Sequence, residues 1–441
     1  MGSSQPEPFL SARVSSNLVS SKLGEVRSHC FYNQWHPTTN PDGIIALAIA
    51  ENKLMRDEIV DHINANFKIT PWHLTYGEGP QGSIALKSAI GDFMNREFNP
   101  FTPLNKDHIV VCNGAGSAVN NLCFCLGEPG DGILVGRPLY TGFFPDIEAY
   151  AKFKLLGVPF GDIDPVSPAA AACYEATLQQ AESNGTKVRA LLIANPHNPL
   201  GRPYPPATLL ALVNLCSKHN LHLISDEVYC KSHFPSHDFP APPPFTSVLS
   251  LPLPQHINPA LVHVIYALSK DFCANGLRIG CVASPSNPRL VRALRSIASF
   301  TRASQLAEHA WLNLLTDTPW QATYFPELQR RMRGAYEYVT GLLREEGVPY
   351  GPASVSSFLW VDLRRYLAEQ SWEAEVALNW RLAREGKVWV AAGGSFGAEA
   401  PGWGRITFAT PREELRDGMG RILGVLRTVE TELREVGSTR G

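Results

Sequence analysis

The stretch Leu261–Gly280, "LVHVIYALSKDFCANGLRIG", decides how the chain reads. Its first eight residues are apolar enough for a buried strand, and the serine, asparagine and glycine that follow cannot continue one. Lys270 therefore stands on a loop just past a strand end, with Arg278 eight residues further on. Open α/β sheets bind ligands beyond the carboxyl ends of their strands, which is where this lysine falls. Alone, Ser-Lys-Asp reads equally well as an ordinary surface turn, so the rest of the chain must decide.

The rest repeats the pattern. "HIVVCNG", "GILVGRP", "VRALLIANP" and "LHLISDE" are short apolar runs, each ending in turn or polar residues. Helical periodicities such as "SAVNNLCFCLG" and "PATLLALVNLCSKHN" lie between them. This alternation predicts an α/β fold: a mostly parallel sheet with helices on both faces. Residues 1–40 read as an irregular arm, and the proline-dense segment Phe234–Pro259 as a surface excursion. From Pro319 the pattern changes. A long helix beginning at Pro326, "PELQRRMRGAYEYVTGLLREEG", leads to "SSFLWVDL", then to "GRITFAT" and a last helix ending near Glu435. The division expected is an arm with part of a small domain over 1–70, a large domain over 71–318, and a smaller C-terminal α/β domain over 319–441.

Composition narrows the class. In 441 residues, 39 Lys and Arg balance 41 Asp and Glu, with no basic block or acidic tail, so neither nucleic acid nor an anionic membrane is expected as partner. The nine cysteines are odd in number and sit in apolar segments, which suits reduced thiols in a cytoplasmic setting. Cys123 and Cys125 form a C-x-C without a second pair at zinc spacing, so no metal is expected. "MGSSQPEPFLSARVSS" lacks the apolar core of a signal peptide. The uncharged run Ile109–Gly127 and the longer segment Phe239–Ser269 are interrupted by Asn and Gly or by proline, and neither reads as a membrane span.

The strand ends carry the chemistry. In "HIVVCNGAGSAVNNL" a strand gives way to glycines and a helix start, where backbone N–H groups and the helix dipole can hold a phosphate. A dinucleotide fingerprint is the competing reading, but Val119 occupies its third glycine position. "ANPHNPLG" places Asn198 past another strand, and "ISDEVY" ends a third with Asp226 and Tyr229. Asp226 alone could be a helix cap. Together, a phosphate nest, Asn, Asp, Tyr, Lys and Arg at successive strand ends suit pyridoxal 5'-phosphate. That cofactor needs an amine for its aldehyde, a carboxylate for its ring nitrogen, and amides with a forked cation for its phosphate.

These residues resemble the fold-type I, class I and II aminotransferases, and among them the branch that includes 1-aminocyclopropane-1-carboxylate (ACC) synthase. "NPDGIIALAIAEN", "NPHNPLG", "SDEVY", "SKDFCANGLRIG" and "PGWGRITFA" follow in that family's order, from about Asn40 to Arg405. The resemblance implies Lys270 as the Schiff-base lysine and the group that moves the Cα proton. It implies Asp226 at the pyridine nitrogen, Asn198 and Tyr229 at the ring oxygen, and Tyr140 stacked on the ring. Gly114, Ala115, Gly116, Ser269 and Arg278 would serve the phosphate, and Arg405 the substrate carboxylate, with Asn198 beside it. Tyr76 resembles the tyrosine that reaches a partner subunit's phosphate, implying a homodimer. Glu51 matches a glutamate of ACC synthases, at the catalytic and substrate side.

Three positions depart from the pattern. Ala267 and Gly116 stand where relatives carry hydroxyl residues, each hydroxyl contact contributing about 0.5–1.5 kcal/mol. Gly404 stands where plant ACC synthases have a bulky aromatic, and suggests room for a larger substrate. The expected activity is Cα deprotonation of an amino acid or amino-acid conjugate. Elimination of a sulfur leaving group in natural-product biosynthesis leads. Transamination to an α-keto acid is the alternative, with ACC synthesis or cofactor binding without turnover as lesser ones. A cofactor-sensing transcription factor would need a DNA-binding module that the short, non-basic arm does not supply.

Overall fold

The computed structural model describes residues 10–18 and 21–439. After a two-residue strand β1 (Ile45–Ala46) come seven strands of one sheet: β2 (Ile109–Cys112), β3 (Gly132–Gly136), β4 (Lys154–Val158), β5 (Val188–Ala194), β6 (His222–Asp226), β7 (Val262–Ala267) and β8 (Gly280–Ala283). Their order is β2-β8-β7-β6-β5-β3-β4, with β8 antiparallel to both its neighbours and every other pair parallel. The fold is α/β with a mostly parallel sheet.

The apolar runs account for the layering. Side chains alternate across a strand, so each run supplies both faces of the sheet. Ile109, Val111, Leu191, Ile193, Val264 and Tyr266 join one core, with the helices Ile84–Glu97, Pro206–His219 and Gln305–Thr316 against it. Val110, Cys112, Ala190, Leu192 and Ile265 join the opposite core, covered by Ala115–Leu126 and Pro288–Ile297. Both faces of the central strands are thus dry, and their ends remain for polar chemistry.

A second sheet, β12-β13-β10-β9, is antiparallel and built from β9 (Tyr350–Gly351), β10 (Phe358–Asp362), β12 (Ala391–Ala392) and β13 (Trp403–Thr407). The remaining strand, β11 (Val388–Trp389), pairs in parallel with β1, tying the segment around Ile45 to the C-terminal part of the chain.

Three local expectations change. The supposed irregular arm contains a helix, Lys22–Phe31, because Val26 and Cys30, four residues apart, bury against Ala383 and Trp389. Ser21 caps it, its Oγ accepting from the Gly24 N–H at 3.0 Å. The long helix starts at Thr318 rather than Pro326 and carries that proline inside it, with Tyr324, Phe325 and Leu328 buried on either side. Apolar packing there outweighs one lost backbone bond. The excursion is superficial only in its proline-dense first half, where Pro240, Ala241, Pro243 and Pro244 are exposed, and its second half turns inward. Val248, Leu249, Leu251, Leu253 and Ile257 are all buried.

Two buried carboxylates hold the site strands in place, and each follows a proposed site residue directly. Glu227, after Asp226, accepts from Ser225 Oγ (2.8 Å), Ser247 Oγ (2.6 Å) and the Val248 N–H (2.9 Å). Asp271, after Lys270, accepts from Ser232 Oγ (2.6 Å), the Lys231 N–H (3.1 Å), Tyr266 OH (3.2 Å) and Cys230 Sγ (3.2 Å). Each anchored carboxylate fixes the backbone from which its neighbour, Asp226 or Lys270, projects at the sheet edge. Asp271→Ala strands three strong donors in a dry core. It should lower unfolding stability by at least about 3 kcal/mol, read as a lower urea midpoint.

Candidate active site

Past the C-terminal edge of the sheet, Lys270 lies three residues beyond β7, half-buried, and its Nζ donates to the Ala50 carbonyl at 2.7 Å. Its ammonium also sits 5.9 Å from the centre of the Tyr229 ring. Burial lowers the lysine pKa to about 8, and the Arg405 charge pushes the same way, while Glu51 and Asp226 resist. A fraction of this amine is therefore unprotonated near neutrality, which an ordinary surface lysine does not provide.

Asp226 ends β6, buried, and burial raises its pKa to about 7, although the Val228 N–H and Lys270 hold it back. Its Oδ1 has no hydrogen-bond partner among the described residues, and neither has the hydroxyl of Tyr229, also buried. Buried polar atoms are almost always paired. A protonated ring nitrogen and a ring oxygen are the partners that these two orphans lack, and a cation beside Asp226 would bring its pKa back down. That donor set fits pyridoxal 5'-phosphate.

Arg405 comes from β13, far along the chain, and is 4% exposed. Nη1 donates to Asn198 Oδ1 at 3.0 Å and Nη2 to the Ala48 carbonyl at 2.6 Å, while Nε finds no partner among the described residues. The rings of Phe358 and Phe396 lie 4.8 and 4.7 Å from the guanidinium carbon. Burial pushes its pKa down to about 10, so it stays charged at neutral pH. A buried, partly unpaired fork of this kind is built to take a carboxylate.

The glycine turn lies on the other side. Gly114, with φ 115°, precedes the helix Ala115–Leu126 and adopts a backbone that side-chain-bearing residues rarely take. A Cβ on it would also lie 2.5 Å from Arg278 Nη2, so the guanidinium crosses directly over the turn. Arg278 itself donates to the Asn275 carbonyl at 2.8 Å. The first-turn amides at Ala115 and Gly116 and this guanidinium make an anion cradle. Tyr140 packs edge-on to Phe143 at 5.3 Å, and burial, with the charges of Asp146 and Asp226 against those of Arg405 and Arg278, raises its pKa. Ser269 is buried next to Lys270.

The structure thus brings together Lys270, Asp226, Tyr229, Asn198, Arg405, Tyr140, Ser269, Arg278 and the glycine turn. Glu51 joins them from the segment that contacts Lys270 and Arg405: its Oε1 accepts from Asn275 and its Oε2 from Arg56, both at 2.8 Å. Tyr76 does not join them. It is 86% exposed, with Arg302 5.4 Å above its ring, on an outer face of the chain.

Two sequence arguments are revised. Gly404 gives the site no extra room. It points away from Arg405, and a Cβ there would meet Val390, Leu363 and Val361 at 3.2–3.4 Å. The aromatics near the arginine come instead from Phe358 and Phe396. A hydroxyl residue at Gly116 would place its Cβ 2.7 Å from Asp146 Oδ1, so it could enter only with Asp146 turned aside. Asp146 was not singled out. Burial lifts its carboxyl to about 6, with Arg278 opposing, and nothing in "FFPDIE" separates it from an ordinary first-turn acid. Also unforeseen are the carbonyls of Ala48 and Ala50 and the side chains of Asn275 and Arg56, because such contacts have no sequence signature.

Among the described residues no helix is long and apolar enough to cross a membrane, and no three His, Cys, Asp or Glu side chains gather as a metal site. Comparison with known proteins gives the family. The 1-aminocyclopropane-1-carboxylate synthase-like protein 1 of Mus musculus is 33% identical over 405 residues, covering 89% of this chain and 78% of that protein. 1-Aminocyclopropane-1-carboxylate synthase 1 of Prunus mume is 32% identical over 392 residues, 87% of this chain and 78% of its own. The probable aminotransferase gliI of Aspergillus fumigatus is 32% identical over 393 residues, 86% and 88%. A double mutant of Thermus thermophilus aspartate aminotransferase shares the fold, with a TM-score of 0.72 over 94% of this chain and 99% of that one at 22% identity. Residues 45–422 match the family described as aminotransferase class I and II. The chain belongs to that family of pyridoxal 5'-phosphate-dependent enzymes, on its ACC synthase-like side.

Proposed function

We propose that this enzyme removes the Cα proton of an α-amino acid and expels a sulfur substituent from its side chain, as a carbon–sulfur lyase of natural-product biosynthesis. The observation that carries the reading is the placing of the Lys270 amine, with its lowered pKa, between a carboxylate grip and an anion cradle. Likeness to ACC synthases supports elimination as the outcome, and Glu51 stands in the segment that resembles theirs.

Bound pyridoxal 5'-phosphate supplies an electron sink for the charge left at Cα. Asp226 would hold the ring nitrogen, Asn198 and Tyr229 the ring oxygen, and Tyr140 the ring face. Gly114, Ala115, Gly116, Ser269 and Arg278 would hold the phosphate. Arg405 takes the substrate α-carboxylate in its fork and so fixes which bond at Cα faces Lys270. Lys270 then accepts the Cα proton, its lowered pKa matching a base that works near neutral pH. Arg405→Ala should lower kcat/KM at least about tenfold, and Arg405→Lys should restore little because an ammonium cannot fork.

Transamination is the second reading, favoured by the likeness to a probable aminotransferase. Product analysis separates the two. With a cysteine conjugate and no keto acid, the lyase takes up one water and releases thiol, pyruvate and ammonia over many turnovers. If amino acids are consumed only stoichiometrically, α-keto acids restore activity and no thiol appears, the lyase reading fails.

The working unit proposed is a cytoplasmic homodimer. Trp72, Leu74, Tyr76 and Phe300 leave apolar surface exposed, and Phe300 precedes Thr301, whose carbonyl accepts from the Asn113 N–H (2.8 Å) at the glycine turn. A second copy on this face would bring Tyr76 of the partner subunit to the phosphate. Mixing inactive Tyr76→Ala and Lys270→Ala subunits should then recover up to about a quarter of wild-type activity, because half the dimers carry one intact site. No recovery after verified subunit exchange would place Tyr76 outside the site.

A further inference from the structure

Asp146 sits beside the phosphate cradle without a task in the chemistry proposed above. It lies on the helix Phe143–Glu148, which packs on the helix Ala115–Leu126, and Asn120 Nδ2 donates to its backbone carbonyl at 3.0 Å. A Cβ on Gly116 would lie 2.7 and 3.0 Å from its two carboxyl oxygens. Cα–Cβ bonds tilt toward the N-terminus of a helix. The carboxyl therefore fills the space into which a side chain at 116 would lean, next to the first-turn amides. Yet it caps nothing. Among the described residues no backbone N–H of the turn and no side chain donates to its oxygens, as one would to an ordinary capping acid.

The charges that face it are few. Burial lifts the carboxyl to about 6, and Arg278, crossing the turn, is the cation that opposes this. Asp226 at the end of β6 faces it as a like charge. Tyr140 and Cys123 also face it, and burial keeps both un-ionised. On β4, against which the Asp146 helix packs, Lys154 turns to Thr186 Oγ1 at 3.2 Å, and Glu148 of that helix accepts from the Leu155 N–H at 3.3 Å. A phosphate ester is close to a dianion above about pH 6. Seated on the turn, it sets two charges against the one of Arg278, and an ionised Asp146 would add a third of the same sign. Like charges at this range drive one of the acids to keep its proton. A proton held between carboxyl and phosphate removes the clash and makes a charge-assisted hydrogen bond.

We infer that Asp146 is a cofactor-binding residue that works un-ionised: as the phosphate settles, the carboxyl takes one proton from solvent and donates it in a hydrogen bond to a phosphate oxygen, in the place of the side chain that Gly116 lacks. The inference rests on the phosphate assignment above and makes cofactor retention depend on pH. Below about pH 6 Asp146 already holds its proton. Above that, binding must draw the proton from solvent. Affinity then falls as pH rises, by up to about tenfold per unit, until the carboxyl ionises in the loaded enzyme too.

Equilibrium dialysis of the enzyme loaded with pyridoxal 5'-phosphate gives the cofactor Kd at two pH values, about 6.5 and about 8.5, on either side of neutrality. Lys270 and Asp226 titrate near this range in every variant, so the readout is the wild-type Kd relative to that of Asp146→Asn and Asp146→Ser. Both replacements stay neutral and keep a donor, and either suffices if the other does not fold. The ratio of wild-type to variant Kd should rise at least about tenfold from the lower pH to the higher. A ratio that stays constant overturns the inference, because an Asp146 that only braces the turn changes affinity equally at both. Arg278→Ala should weaken the cofactor at both pH values. If it does not, the phosphate lies elsewhere, and the cradle assignment falls together with the inference.

Discussion

Two neighbouring cations, the half-buried Lys270 and the buried Arg405, are the constraint around which the active site is arranged. A buried charge is costly unless the chain supplies partners for it. Here the partners are two backbone carbonyls of one short segment, Ala48 and Ala50, with Asn198 completing the arginine. The segment around β1 therefore cannot drift from the sheet edge without leaving both cations unpaired. Its pairing with β11 and its side-chain anchors at Asn275 and Arg56 hold it there.

The sheet supplies the rest of the rigidity. Both of its faces are covered, so the strand ends are the one place where a polar cluster can be wet when empty and dry when filled. Glu227 and Asp271 act from beneath as pegs, each with several donors, and keep Asp226 and Lys270 facing outward. The orphaned oxygens of Asp226 and Tyr229 are the counterpart of this design. They are left without partners inside the chain so that a ligand can satisfy them, and the chain tolerates the penalty because the pegs leave those groups no way to turn aside.

Charge balance links burial to binding. The lowered pKa of Lys270 and the lowered pKa of Arg405 have one leading cause, burial, reinforced at the lysine by the arginine's own charge. Asp226 is raised for the same reason. Groups of both signs are thus pushed toward neutrality until a ligand brings a cation to one and a carboxylate to the other. Glu51 is the exception. Donors on both of its oxygens outweigh burial and keep it ionised.

The sequence by itself determined five of the seven strands of the large sheet and the residues at their ends, because a strand buried on both faces must be an apolar run closed by turn formers; β4, a half-exposed edge strand, and the short β8 carry no such run. Lys270, Asp226, Asn198 and the glycine turn were legible for that reason, each being local to its own strand end. The helix at Lys22–Phe31 and the early start at Thr318 were not, because each is held by apolar contacts with distant parts of the chain. Alternation along β13 says that residues 404 and 405 face opposite ways, but not which way is the site. Only the packing of Val390, Leu363 and Val361 around Gly404 decides it. The pairing of Glu51 with Asn275, and of Arg405 with Asn198 and Ala48, likewise belongs to the tertiary structure alone. These contacts join residues more than 200 positions apart, and no periodicity in a chain encodes which distant groups will share a buried charge.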